Sequence, residues 1–326
     1  MKTLKIAAAA LALTLACASQ AQAQAQAYPN KPIRLVVPWP PGQATDLAAR
    51  IVGIKISESL GQPVVVDNRA GAGGTLGTDI ASKAAPDGYT LLAGSSGPVS
   101  ISPLLQTVPY DPAKAFAPVS LIATVPYILV THPSFPANNA RELIGLLKAN
   151  PGKYTFSSSG TGATGHLVGE LFNATAGVQV LHIPYKGATP SLTDIMNGNV
   201  GYSFETLAAV VGPIKSGRLK ALATSGARRS AALPDVPTVA ESAGMPDFAM
   251  AAWIGYLMPA GTPPEVLARL SAEVQKAMQA PDLKERYLAL GMDPVANTPE
   301  ELGALMVRER ERYSTIIKRA NIKLEQ

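Results

Sequence analysis

Ile33-Arg34-Leu35-Val36-Val37-Pro38-Trp39-Pro40-Pro41-Gly42-Gln43-Ala44-Thr45-Asp46 is the stretch on which the fold turns. Ile33 to Val37 is a β-rich apolar run, as a buried strand requires. Pro38 to Gly42 ends it with turn chemistry. A helical pattern follows from Asp46, with Leu47, Ile51 and Ile54 on one face. Outward from there, Val64 to Val66 reads as a second strand. Gly71, Gly73, Gly74 and Gly77 lead into a short helix around Ile80, Pro86-Asp87-Gly88 is a turn, and Thr90 to Ala93 is a third strand. The order β-α-β-α-β is the grammar of a parallel sheet with helices on its faces.

A β-rich stretch, Leu121 to Val130, precedes a restart of the same grammar. Helices are expected at Asn139–Ala149, from Thr164, around Leu192–Met196 and at Leu207–Ile214. Strands are expected at Tyr154–Ser158, Val180–Ile183, Val200–Phe204 and Leu219–Ala223. This reads as two α/β units and not one continuous sheet. Gly226 to Asp247 is irregular, and Ala251 to Met258 is apolar again. Thr262-Pro263-Pro264-Glu265 and Thr298-Pro299-Glu300-Glu301 read as capping boxes opening C-terminal helices. The second unit has its own helices, so the tail is expected to return to the first, crossing near 121–131 and 245–259. The prediction is a two-lobed α/β clamshell, lobe I being 28–127 plus 254–326 and lobe II 128–253. The ligand cleft lies between them.

The 326 residues carry 28 Lys+Arg, 23 Asp+Glu and one cysteine, Cys17. A single cysteine excludes an internal disulfide and a cysteine-based metal site. No basic stripe with stacking aromatics occurs, so nucleic acid is not an expected partner. Lys2 and Lys5, the apolar run Ile6 to Ala16 and several A-x-A sites before Tyr28 read as a secretory signal peptide over residues 1–27. Lipidation at Cys17 is disfavoured by Thr14 at the third position before it. The protein is therefore expected in the periplasm, and no later segment has the apolar length of a membrane span.

Two loops join a strand's C-terminal end to a helix N-terminus, where free N–H groups and the helix dipole favour an anion. One runs through Trp39, Gly42, Gln43, Ala44, Thr45 and Asp46. The other contains Ser157, Ser158, Ser159, Thr161, Gly162, Thr164 and His166. Taken alone, each also reads as an ordinary turn with Thr45, Asp46 or Thr164 as a helix cap. Gly160-x-Gly162-x-x-Gly165 matches a dinucleotide fingerprint, but no carboxylate stands near Leu181–Lys186 where a ribose would need one, so no cofactor is expected. His132, His166 and His182 lack close metal-ligand spacing, and no metal is expected. Ser95, Ser96, Tyr185, Lys186 and Glu205 follow other strands and are further cleft candidates. A Ser/His hydrolase would want a G-x-S-x-G elbow, and none occurs.

Tyr28-Pro29-x-Lys31-Pro32-Ile33, Val36-Val37-Pro38-x-Pro40-Pro41-Gly42, Asp46 and Ala49-Arg50 resemble the start of the Bug family. Its members are extracytoplasmic solute receptors of tripartite tricarboxylate transporters. The resemblance continues in order through Asp67–Gly74, Pro86–Leu92, Gly165-His166-Leu167 with Glu170-Leu171-Phe172, and Pro184–Gly187. Leu233–Thr238 and Pro259–Pro263 extend it towards the C-terminus. It implies a type II-like periplasmic binding protein of the Venus-flytrap kind. Such a receptor holds a small carboxylate by two Gly-rich loops, through backbone amides, hydroxyls and waters, and hands it to membrane permease subunits. Family ligands include tricarboxylates, dicarboxylates, amino acids and aromatic or pyridine carboxylates. The family commonly has a second Gly after Gly42, where this chain has Gln43. A side chain there restricts backbone approach and adds an amide donor and acceptor, which sets it apart from the usual carboxylate pose. The expected protein is a monomeric receptor that performs no chemistry. The alternatives are a sensor docking on a histidine kinase ectodomain and, less favoured, a periplasmic hydrolase using Ser and His166.

Overall fold

The computed structural model describes residues 28–319, so the expected signal peptide lies outside the described residues. Ile33–Val37 forms β1 and Ala44–Leu60 forms α1. β1 lies between two parallel neighbours, β2 (Val64–Asn68) and β3 (Thr90–Ser95), with α2 (Thr75–Ser82) leading from one to the other. The buried face of α1 differs from the expected one. Ala48, Ala49, Ile51, Val52 and Ile56 are buried, while Ile54 is 54% exposed. The cause is close approach. A Cβ on Gly53 would lie 3.5 Å from the side chains of Leu35 and Val64, so the helix seats its Ala/Gly side on the sheet. Tyr256 and Tyr287 hold that seat, donating their hydroxyls to the carbonyls of Ala49 and Ala48.

After a π-helical turn (Gly97–Ile101) and α3 (Ser102–Leu105), the chain enters a 16-residue strand, β4 (Phe116–Thr131). Up to Pro126 it pairs antiparallel with the returning strand Ala251–Pro259. From Tyr127 it pairs antiparallel with Tyr202–Thr206, and from Ile128 also with Lys220–Thr224. The expected break between two sheets is therefore absent, because β4 is shared and one hydrogen-bonded path runs through both units. The partners change at Pro126, which has no N–H to donate, and two register shifts before it bend the ladder.

Beyond β4 come α4 (Ala140–Ala149), β5 (Thr155–Ser158), α5 (Thr164–Ala176), β6 (Leu181–Pro184), α6 (Ala188–Met196), β7 (Tyr202–Thr206), α7 (Leu207–Lys215) and β8 (Lys220–Thr224). β5 is parallel to both β6 and β7. The segment read as irregular contains a short helix, α8 (Val239–Ala243). It is opened by a complete capping box in which Glu241 N–H donates to Thr238 Oγ1 at 3.0 Å and Thr238 N–H to Glu241 Oε2 at 2.8 Å. β9 (Ala251–Pro259) then pairs with β3 and β4.

The tail forms α9 (Pro264–Met278), α10 (Pro281–Ala289), β10 (Asp293–Pro294) and α11 (Pro299–Arg319). α9 packs on α1 and β4, and α11 on β4, so the tail does return to the first unit. Thr298 and Glu301 make the expected capping box. Thr262 does not: its hydroxyl donates to the Pro259 carbonyl, and Pro263 precedes the helix without a side-chain cap. One apolar cluster runs through both halves, from Leu35, Leu91 and Tyr256 to Phe156, Phe172 and Phe204. Among the described residues no helix is long and apolar enough to cross a membrane.

Candidate functional site

A cavity opens where β4 changes partners, at the C-terminal ends of β1, β3, β5 and β7, the switch-point position of open α/β sheets. It is lined by Trp39, Gln43, Ala44 and Thr45 after β1, by Ser95 ending β3, and by Val125 and Tyr127 of β4. Ser159 and Thr164 of the loop after β5, Glu205 and Thr206 of β7, and Ala252 and Ile254 of β9 complete it. The centres of water-sized atoms can occupy about 30 Å³ of it, which suits one small polar group.

The loop after β1 is built from beneath. Asp46, 1% exposed, accepts from the Gly42 N–H at 2.9 Å, from Asn68 Nδ2 at 2.8 Å and from Arg50 Nε at 2.9 Å. Asn68 also donates to the Trp39 carbonyl, and Arg50 to Asn68. These bonds turn Asp46 away from the cavity and hold Gly42 at φ +85°. Trp39 Nε1 donates to Ser95 Oγ at 3.0 Å, which leaves the Ser95 hydroxyl proton for another acceptor.

The loop after β5 is braced in the same way. Ser158 Oγ accepts from the Gly160 N–H and pairs with His182 Nε2 at 2.8 Å, while Gly162 N–H donates to His166 Nδ1 at 3.2 Å. His166 and His182 stack at 4.0 Å between centroids. Burial, then His166, pushes His182 down to about 3, so it stays neutral. Glu170 approaches His166, and among the described residues no carboxylate pairs with His182, the histidine bound to Ser158.

Of the candidate residues, Trp39, Gln43, Ala44, Thr45, Ser95, Ser159, Thr164 and Glu205 come together around the cavity. Gly42, Asp46, Ser158, Gly162 and His166 shape the two loops behind it. Ser96 is buried and accepts from the Trp253 N–H, pinning β9. Thr161 lies at the loop-to-loop contact. Tyr185 donates its hydroxyl to Asp194 and Lys186 is exposed, neither lining the cavity. Val125, Tyr127, Ala252 and Ile254 were not anticipated. They sit in apolar strands, where a residue facing a cavity has the same sequence signature as one facing the core. Thr206 could have been found from its place directly after Glu205.

Three helices, α1, α5 and α7, begin at the cavity, and none carries a side-chain cap. Among the described residues no Lys, Arg or His lines it. Gln43 Nε2 is buried there without a partner. Burial pushes the Tyr127 hydroxyl well above its ordinary range, and the Glu205 carboxyl up to about 8. The donors are thus neutral, and the one ionisable carboxyl is poorly stabilised as an anion. Each of the two loops also meets a glycine from the other half, the loop after β5 at Gly73 beyond β2 and the loop after β1 at Gly187 beyond β6. A Cβ on Gly73 would collide with the Thr161 carbonyl, and one on Gly187 would lie 3.0 Å from Pro40 and 3.3 Å from Gln43 Nε2. Only glycine permits this closed contact at positive φ. A larger crevice of about 700 Å³ opens elsewhere, between α5, residues 244–249 and α11. The Arg312 guanidinium that lines it already donates to Ala249, so it lacks the convergent free donors of the cleft.

Residues 48–322 match the tripartite tricarboxylate transporter family receptor, TctC. The protein BugT of Bordetella pertussis is 39% identical over 300 residues, covering 91% of this chain and 92% of BugT. Among solved structures, Rpa4515 of R. palustris with adipate is 33% identical, with a TM-score of 0.87, over 91% of this chain and 99% of that one. MatC from Rhodopseudomonas palustris with bound malate is 31% identical, with a TM-score of 0.84, over 89% and 100%. The resemblance read from the ordered motifs is borne out, and the α/β fold is that of periplasmic binding proteins. By sequence and architecture together, the chain belongs to the solute-binding receptors of the tripartite tricarboxylate transporter family.

Proposed function

We propose that this receptor captures a small organic carboxylate in the periplasm and delivers it to the membrane permease subunits of a tripartite tricarboxylate transporter. One observation carries the reading: three uncapped helix N-termini and neutral hydroxyl and amide donors converge on one cavity that no basic side chain lines. Such a site stabilises an anion without a fixed counter-charge. The adipate and malate bound to the similar structures support the same ligand class. Gln43 Nε2 gives its hydrogen bond to the ligand, in place of the backbone approach that a second glycine would allow.

Residues 28–127 with 254–326 act as one lobe and 128–253 as the other, hinged where β4 changes partners. Closure brings the loops at Gly73 and Thr161 together over the ligand and removes its carboxylate from water. Residues 1–27 direct export and are removed, and the receptor works as a monomer without catalysing a reaction. The test is to express the full chain in a periplasm-bearing host, purify it without denaturation, and identify by mass spectrometry what it releases on unfolding. A di- or tricarboxylate released intact supports the reading. A sugar or an uncharged solute overturns it, and hydrolysed product would make the Ser158–His182 pair catalytic.

A further inference from the structure

Among the described residues Glu205 is the one acidic side chain lining the cavity, and its surroundings suit an acid better than a carboxylate. It is 3% exposed. Its Oε1 lies 3.3 Å from Ser203 Oγ and 3.5 Å from Ser191 Oγ. Both contacts are long, and both hydroxyls have better partners. Ser203 donates to the Ser157 carbonyl at 2.8 Å, and Ser191 shares a 2.8 Å bond with Ser157 Oγ. The single proton of Ser203 has its shorter bond to the Ser157 carbonyl, and Ser191, which can accept from Ser157 Oγ and donate to Glu205, reaches it only at 3.5 Å, so the two serines solvate a charge on Glu205 weakly.

The groups around it supply no cation. β4 presents Tyr127, whose hydroxyl is neutral, and β5 presents only serines. α5 carries His166 and Glu170, which face each other, and β6 carries His182, held neutral. α6 carries Asp194, occupied by Tyr185 and Asn199, and β7 adds Tyr202, which donates to Asn173. Across the cleft, Arg50 is bound to Asp46 and Asn68. Among the described residues none of these makes an ion pair with Glu205, and no bond reaches Oε2. A carboxylate ligand entering this cavity would meet an ionised Glu205 as a like charge at low dielectric, which neither could sustain.

We propose that Glu205 binds the ligand in its neutral form, donating the Oε2 proton to the ligand's carboxylate, so that capture weakens as the medium becomes alkaline. The inference rests on the carboxylate reading above. It adds that the bound complex holds a proton which the empty protein gives up at high pH. The raised acidity range of Glu205 agrees in direction, and a bound anion raises it further.

The test uses adipate and malate as probes, both fully ionised from pH 6.5 upward. Kd is measured by calorimetry on the mature chain from pH 6.5 to 9.5, in buffers of different ionisation enthalpy. The expected result is a Kd that rises by up to tenfold per pH unit once Glu205 in the empty protein ionises, with proton uptake on binding at pH 9. Glu205→Gln keeps a donor but cannot titrate. Its Kd at pH 6.5 is expected within about tenfold of the parent, with the pH slope gone. A flat parent Kd across the range overturns the inference, as does a slope that survives in Glu205→Gln. Loss of binding at every pH in a Glu205→Gln protein that still melts cooperatively also overturns it. Tighter binding of an ammonium-bearing ligand with rising pH would make Glu205 a charged partner and overturn it too. If neither protein binds a carboxylate at any pH, the carboxylate reading itself fails and takes this inference with it.

Discussion

Three side chains decide most at the residue scale: Asp46, Gln43 and Glu205. Asp46 read equally as a cleft residue and as a helix cap, and the structure gives it a supporting place, with three donors converging on a buried carboxyl. Asp46→Ala strands those donors, and a loss of about 2 kcal/mol in urea unfolding is expected. Gln43 keeps an unpaired buried amide in the cavity. Gln43→Ala should weaken the cognate ligand roughly 2- to 10-fold in titration calorimetry, the worth of one neutral hydrogen bond, with little change in the stability of the empty protein. Glu205 sets a pH dependence of folding. Its acidity range is raised from the ordinary 4.5 to about 8 in the folded chain. The unfolded chain therefore loses its proton first as pH rises, and the stabilisation from this group fades between about pH 4.5 and 8. Glu205→Gln does not pay that penalty, so its melting temperature should gain on the parent from pH 5 to pH 9, and a gap that shrinks with pH would refute the assignment.

At the scale of elements, most strands and helices were legible because the alternation of short apolar runs with turn chemistry is a local signal. The loops after β1 and β5 were legible for the same reason. What local signals missed is tertiary. Gly53 and its alanine neighbours turned α1 to its small face, which periodicity of large residues does not reveal. β4 unites the two units because one strand can offer different stretches to different partners, and nothing in Leu121–Val130 announces that. The loop-to-loop contact rests on glycines that read from sequence as ordinary turns. Gly73→Val places a side chain against the Thr161 carbonyl and adds strain at φ +63°. A ligand affinity lowered at least tenfold is expected, with an apparent melting point for the empty protein reduced by only a few degrees. Equal affinity in parent and variant would mean that the two loops need not meet.

Over the whole molecule, the fold sets the proposed anion site on the strand shared by both halves, and under that proposal binding and closure are coupled through β4. The C-terminal helices α9 and α11 pack on that strand, and the proposed hinge lies where its partners change, at Pro126–Tyr127. The measurement that tests this account most directly is a thermal-shift panel on residues 28–326, unfolded and refolded to strip any ligand carried through purification. The panel holds dicarboxylates, tricarboxylates, acidic amino acids and aromatic carboxylates, with sugars and neutral amino acids as controls. A cognate carboxylate at 100 times its Kd adds roughly 2.7 kcal/mol and raises the melting point by several degrees. The account predicts such a shift from at least one carboxylate and from none of the controls; a shift from a sugar or a neutral amino acid, with every carboxylate silent, would contradict it.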